Sequence, residues 1–194
     1  KDVRYDHKVW GLEFTFKPVR MIEVNVPTPD GRLERKLIWY LLYNVRNPGP
    51  EPVEFVPRMF LNSPESKGRT WVPDVLIPVA VKAINAKEDP ARKIHDSVSI
   101  SAEPIPPAED GVDRSVWGVA TFALVDPKTG ELQTVDPITD EFSIYIQGLT
   151  NAYKMDNKDG KRKYLRKTLQ LNFWRPGDEF YEDDTEIRYG KPDK

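Results

Sequence analysis

His95-Asp96-Ser97 sets the three residue types of a hydrolytic triad side by side, the first place in this chain to look for chemistry. A nucleophile, its base and the acid that orients the base must lie in one hydrogen-bonded line. Three consecutive residues cannot supply that line. The other histidine, His7, stands in an N-terminal segment expected to fray. Neither a Gly-x-Ser-x-Gly elbow nor a His-Glu-x-x-His zinc pattern occurs. His95 therefore reads as an ordinary polar residue at a helix–strand connection. With no cysteine, a thiolate nucleophile, a thiolate metal site and a disulfide framework are all excluded. No catalytic residue is assigned and no cofactor is implied.

Met155-Asp156-Asn157-Lys158-Asp159-Gly160 invites a calcium reading. Aligning Asp159-Gly160 with the fifth and sixth positions of an EF-hand loop puts Met155 first and Arg166 twelfth, where carboxylates are required. The motif fails at both ends, and Asp-Gly between two strands is more economically a tight hairpin turn. Asp126, Asp136 and Asp140 come from separate loops and would have to converge to hold a hard cation. Asp-Pro is also a common way to open a turn, so no metal site is assigned.

Two charge clusters follow. Lys158, Lys161, Arg162, Lys163, Arg166 and Lys167 precede Asp178, Glu179, Glu182, Asp183, Asp184 and Glu186. A nucleic-acid surface would want an uncompensated basic patch with interleaved aromatics, and only Tyr164 is interleaved. Arg175-Pro176-Gly177-Asp178 has the residues of a type II turn. A hairpin around it sets Trp174 opposite Glu179 and Lys167 opposite Glu186, so that the clusters offset one another. No nucleic-acid partner is expected.

The aromatics have the most ligand potential. Flat indole and phenol faces stack on sugar rings or peptide side chains, and exposed ones on a sheet make a platform. Tyr145, Tyr164 and Trp174 sit in the polar phase of their strands and form the candidate platform. Trp39 and Trp117 lie in strands apolar on both sides and are assigned to the core.

The elements that must position these residues are mostly strands. Eighteen prolines in 194 residues point to many loops and blunted sheet edges. Net charge is −2, giving no global field to recruit nucleic acid or an anionic membrane, and no apolar run is long enough to span a bilayer. Trp10 to Val26 carries Leu12, Phe14 and Phe16, then Ile22, Val24 and Val26 in the same parity, with a bend or bulge expected at Pro18. Pro29-Asp30-Gly31 turns the chain into a strand over 35–45 that is apolar on both faces. Leu76, Ala80, Ala83 and Ile84 fall at helical spacing, so Pro78 to Lys87 is read as the one helix, covering Ile38, Tyr40 and Leu42. Further strands are expected at 53–61, 70–72, 97–101, 115–125, 131–135, 140–150, 164–174 and 179–189.

Tyr40-Leu41-Leu42-Tyr43-Asn44-Val45-Arg46-Asn47-Pro48-Gly49, followed by Pro52-Val53-Glu54-Phe55, resembles the strand–Asn–x–Gly–strand core of immunoglobulin-like modules of bacterial exported and surface proteins. The resemblance implies a sandwich and an extracytoplasmic site, and it carries no catalytic residue. The chain begins at Lys1 rather than Met, so any signal peptide is expected upstream of this sequence. The reading is a mainly β, antiparallel two-sheet sandwich, Ig-like in broad architecture, with one short helix and one domain over 1–194. The expected role is a non-catalytic binding or structural module with a protein or glycan partner. The alternative is a glycan-binding module or glycan-active enzyme using surface aromatics and carboxylates. An enzyme of that kind needs two carboxyls about 5–10 Å apart across a groove.

Overall fold

A computed structural model describes residues 8–63, 71–135, 141–158, 161–176 and 187–191. Among the described residues it is mainly β, with two five-stranded sheets facing one another and a single α-helix, α1 (Pro78–Glu88). The first sheet is built on β3 (Leu33–Arg46). β1 (Glu13–Phe16) and β2 (Arg20–Pro27) follow one another along one edge of it. On the other edge lies β7 (Val116–Phe122), and beyond that the two-residue parallel strand β6 (Ile94–His95). The second sheet runs β14 (Arg188–Tyr189), β13 (Leu169–Trp174), β10 (Glu141–Gln147), β4 (Arg58–Asn62) and β5 (Trp71–Pro73). Two small hairpins complete the strands: β8 (Leu124–Val125) with β9 (Leu132–Gln133), and β11 (Tyr153–Lys158) with β12 (Lys161–Arg166).

β3 is interior, and its two apolar phases serve two cores. Trp39, Leu41, Tyr43 and Val45 point between the sheets, where Trp39 meets Phe142 edge-on at 5.1 Å and Phe142 stacks on Phe173 at 5.4 Å. Ile38, Tyr40 and Leu42 point outward and are buried beneath Ile77, Ala80 and Ile84 of the α1 region. The second apolar face is thus covered by the helix, as the spacing predicts, because an uncovered face of that size would be costly in water. Pro78 opens α1 at a position where its missing N–H costs nothing.

Pro18 sits in a bulge. The pairing passes from Phe16↔Tyr43 to Arg20↔Tyr40, so Lys17, Pro18 and Val19 oppose only Leu41 and Leu42. One extra residue exchanges the faces. Leu12, Phe14 and Phe16 therefore pack between the sheets, while Ile22, Val24 and Val26, in the same sequence parity, pack on the helix side.

Other expectations are corrected. Residues 97–101 are not a strand: Ser99–Ser101 is a 3₁₀ turn, because Asp96 Oδ1 accepts the N–H groups of Val98 and Ser99 and winds the chain. The segment 164–174 is two strands broken at Lys167–Thr168. Alternation persists over residues 54–61, but the ladder itself starts only at Arg58. Trp117 is half-buried, with the Arg92 guanidinium 4.5 Å above its ring. In the final hairpin Trp174 faces Arg188 and Phe173 faces Tyr189, rather than Glu179 and its neighbours. This register seats Ile187 in the core and sets Tyr189 against Phe16 and Phe173, whereas acidic residues are poor strand formers. Gly177 and Asp178 of the expected turn, and the acidic run through Glu186, lie outside the described residues.

Candidate functional site

The outer face of the second sheet follows from the alternation of β10. Phe142, Ile144 and Ile146 are buried between the sheets, so Ser143, Tyr145 and Gln147 point away from them. Register carries that phase across the sheet. Tyr145 is flanked by Phe60 and Gln170, Ser143 by Asn62 and Asn172, and Glu141 by Trp174, while Asn62 leads on to Trp71. At one edge the exposed Trp71 ring packs on Tyr145 at 5.0 Å with a 43° tilt. In the middle Ser143 Oγ and Gln170 Nε2 both donate to Asn172 Oδ1 at 2.9 Å. At the far edge the Arg188 guanidinium lies 5.3 Å from the Trp174 ring centre. Aromatic faces thus flank a row of amides and hydroxyls.

This face leads into a cleft of about 1060 Å³ at one end of the sheet, with Trp10, Pro50, Val56, Tyr153, Tyr164 and Arg166 among its walls. Val56 and Arg166 are the next positions in phase beyond Arg58 and Thr168, and Gln147 Nε2 donates to Thr168 Oγ1 at 3.2 Å. The β11–β12 ribbon continues the β10–β13 ladder past an insertion. After Ile146↔Leu169 the next pair is Tyr153↔Arg166, which leaves residues 147–152 against only 167 and 168. The insertion holds the N-terminal segment: Trp10 N donates to Asn151 Oδ1 at 2.9 Å, and the Thr150 hydroxyl donates to Trp10 O at 2.5 Å. Gly148 is required here, since its φ is +101° and a β-carbon would lie 2.5 Å from Val56 O. The opposite wall is organised by buried Asn47. Its Nδ2 donates to Glu51 O at 2.7 Å and Ile105 O at 3.1 Å, and its Oδ1 accepts from Gly49 N at 2.9 Å.

Two buried carboxylates lie away from this surface. Glu88, at the end of α1, accepts Lys17 Nζ at 2.8 Å, Arg20 Nη1 at 2.7 Å and the Tyr40 hydroxyl at 2.8 Å. Burial alone would raise its pKa, but these three donors together hold it below the ordinary glutamate value. Asp74 accepts from Ser97 Oγ and, at 2.9 Å, from Thr121 N. Burial dominates there and pushes it up to about 6. Ser97 is therefore a donor to Asp74 and Asp96 a cap for the 3₁₀ turn. Neither forms a relay with His95, whose Nδ1 has no hydrogen-bond partner among the described residues. Among the described residues, no group of three histidines or carboxylates is placed to hold a metal ion.

Of the three aromatics singled out by alternation, Tyr145 and Trp174 share the outer face, both half-buried. Tyr164 stands on the ribbon, 59% exposed and edge-on to Tyr153 at 5.3 Å. It keeps the phase of Trp174 along the strand but lies beyond the break. Trp71 joins this face from a strand of three residues, too short for alternation to reveal its phase. Asp126 caps its own turn through Lys128 N and Thr129 N, while Asp136 and Asp140 lie outside the described residues. Comparison with protein-family models, with curated proteins and with solved structures found no match to this chain.

Proposed function

We propose that the chain is a non-catalytic binding module that works outside the cytoplasm and holds a glycan along the outer face of the second sheet. The observation that carries this reading is the Trp71–Tyr145 ring pair beside the Ser143–Asn172–Gln170 network on one face. Rings stack on the apolar faces of sugars, and amides both donate to and accept from hydroxyls. Three strands of one sheet, β5, β10 and β13, hold these groups, so little ordering cost attends binding. Hydrolysis is less well supported. It requires two carboxyls flanking a bond, and among the described strand positions of that face Glu141 is the one acid. The glutamates of the cleft, Glu51 and Glu54, lie on one loop, and Glu51 is paired with Lys8 at 2.7 Å.

The test is a polysaccharide binding panel with the intact chain, Trp71→Ala and Tyr145→Ala. A glycan ligand should be found, and each truncation should weaken it by about 1–3 kcal/mol with the melting temperature unchanged. The reading is overturned if no glycan binds, or if both variants bind like the parent.

A further inference from the structure

We infer that the glycan is a polyanion, carrying carboxylate or sulfate groups, and that the β11–β12 ribbon is the subsite that reads its charge. This inference rests on the glycan reading of the outer face. The charge of the chain is unevenly placed: residues 153–167 hold seven lysines and arginines against two aspartates, in a protein whose net charge is −2. The ribbon pairs with itself, Asp156 opposite Lys163 and Tyr153 opposite Arg166, so among the described residues no acidic strand pairs with it. Lys154, Arg162, Lys163, Arg166 and Lys167 are all exposed, and among the described residues none of them forms an ion pair.

Exposed cations with no ion pair among the described residues gain little for the fold, but they attract a polyanion and release its counterions on contact. The ribbon is well placed for this, because β13 runs from the sheet face through Thr168 directly into β12. A chain stacked on Tyr145 would meet Arg166 about 13 Å further along the strand direction. Tyr164, exposed on the same strand as Arg162, Lys163 and Arg166, presents a ring among these cations. A carboxylated or sulfated sugar offers both a stacking face and an anion to such a site. The ribbon also exposes Met155 and Leu165 beside these cations, so an anionic bilayer is the competing ligand that the test must separate.

The test compares polygalacturonate and heparin with neutral dextran and xylan, using the intact chain, Lys163→Glu/Lys167→Glu and Trp71→Ala over a salt series. The parent should bind at least one anionic polysaccharide more tightly than either neutral one, with affinity falling as salt rises. The ribbon variant should lose about tenfold for the anionic ligand at low salt, show a shallower salt dependence, and bind neutral glycan unchanged. Equal anionic affinity for parent and ribbon variant overturns the inference while leaving the glycan reading intact. Loss of neutral and anionic binding in Trp71→Ala supports the outer face, and no effect of Trp71→Ala on either counts against the glycan reading itself. A single-stranded oligonucleotide or phosphatidylserine vesicles bound more tightly than every polysaccharide also overturns it. Both ribbon substitutions are at exposed positions, and an unchanged melting temperature establishes that the variant is folded.

Discussion

The hydroxyl of Tyr40 donates to Glu88 Oε1 at 2.8 Å, tying the middle of β3 to the last residue of α1. Lys17 and Arg20, on either side of the Pro18 bulge, close on the same carboxylate. The bulge, the central strand and the helix end therefore meet at one buried anion, which has 2% of its side chain exposed.

Glu88→Ala should destabilise the protein by about 2–3 kcal/mol in urea titration. That is less than for a fully buried pair, because Lys17 and Arg20 are partly exposed and can turn to water. Glu88→Gln keeps an acceptor and should cost less. Equal losses for the two substitutions would mean that the charge carries the whole contribution and the retained acceptor adds nothing.

Asp74 and Glu88 should act on stability with opposite pH signs. The pKa of Glu88 is depressed on folding, so its contribution is present above the ordinary glutamate value and is lost as pH falls through the lowered one. The pKa of Asp74 rises from 3.8 to about 6, so the folded state holds the extra proton and stability declines as pH climbs from about 4 to 6. Asp74→Asn keeps an acceptor for Thr121 N and lets Ser97 accept from the new amide. It should remove that decline and leave the protein about 1–3 kcal/mol more stable relative to the parent at pH 7 than at pH 4. Denaturant midpoints of both proteins across this range decide the matter, and parallel curves would refute it.

The legible parts of this fold are those where one strand or helix declares its own periodicity. The two apolar phases of β3 required a cover on each side, and the spacing of Ala80 and Ile84 supplied one of them. β10 announced its outward Tyr145 for the same reason. Contacts joining distant positions were not legible. Glu88 meets Lys17 across 71 residues and Ser97 meets Asp74 across 23, and no local pattern encodes either pair. The last hairpin misled because Pro176-Gly177 offers good turn chemistry, whereas register is decided by which side chains the core accepts, here Ile187. The outer face was half legible: Tyr145 and Trp174 by phase, Trp71 only from its pairing with Asn62.

Gly118 lies under the buried ring of Tyr43, where a β-carbon would sit 2.4 Å from Tyr43 Cζ. Gly118→Ala should cost about 3 kcal/mol, at the upper end of overpacking penalties, since the ring is fully enclosed. Tyr43→Leu should relieve the clash. The double variant should then be more stable than the sum of the single losses, by at least about 1 kcal/mol in a thermodynamic cycle. Additive losses would show that the crowding lies elsewhere.

Asn47 links the stability of the fold to the shape of the cleft. Its side chain occupies the bend after β3, 1% exposed, and satisfies three backbone groups belonging to Gly49, Glu51 and Ile105. Ile105 in turn pairs with Val53 in both directions, at 2.8 and 3.1 Å, so one amide fixes the Pro48–Pro52 wall to the loop that crosses behind it. Asn47→Ala leaves Gly49 N and two carbonyls without this partner and should cost about 2 kcal/mol. Asn47→Asp keeps the acceptor for Gly49 N but places an anion against the Glu51 and Ile105 carbonyls, and it should be at least as damaging. If the cleft contributes to glycan binding, both variants should bind more weakly at temperatures where they remain folded, whereas Trp71→Ala weakens binding without affecting stability. Hydrogen exchange at Ala108 and Val53, whose N–H groups donate to Asn47 O and Ile105 O, reads the loosening directly. Unchanged protection at both amides in Asn47→Ala would show that the wall is held by its prolines and not by Asn47.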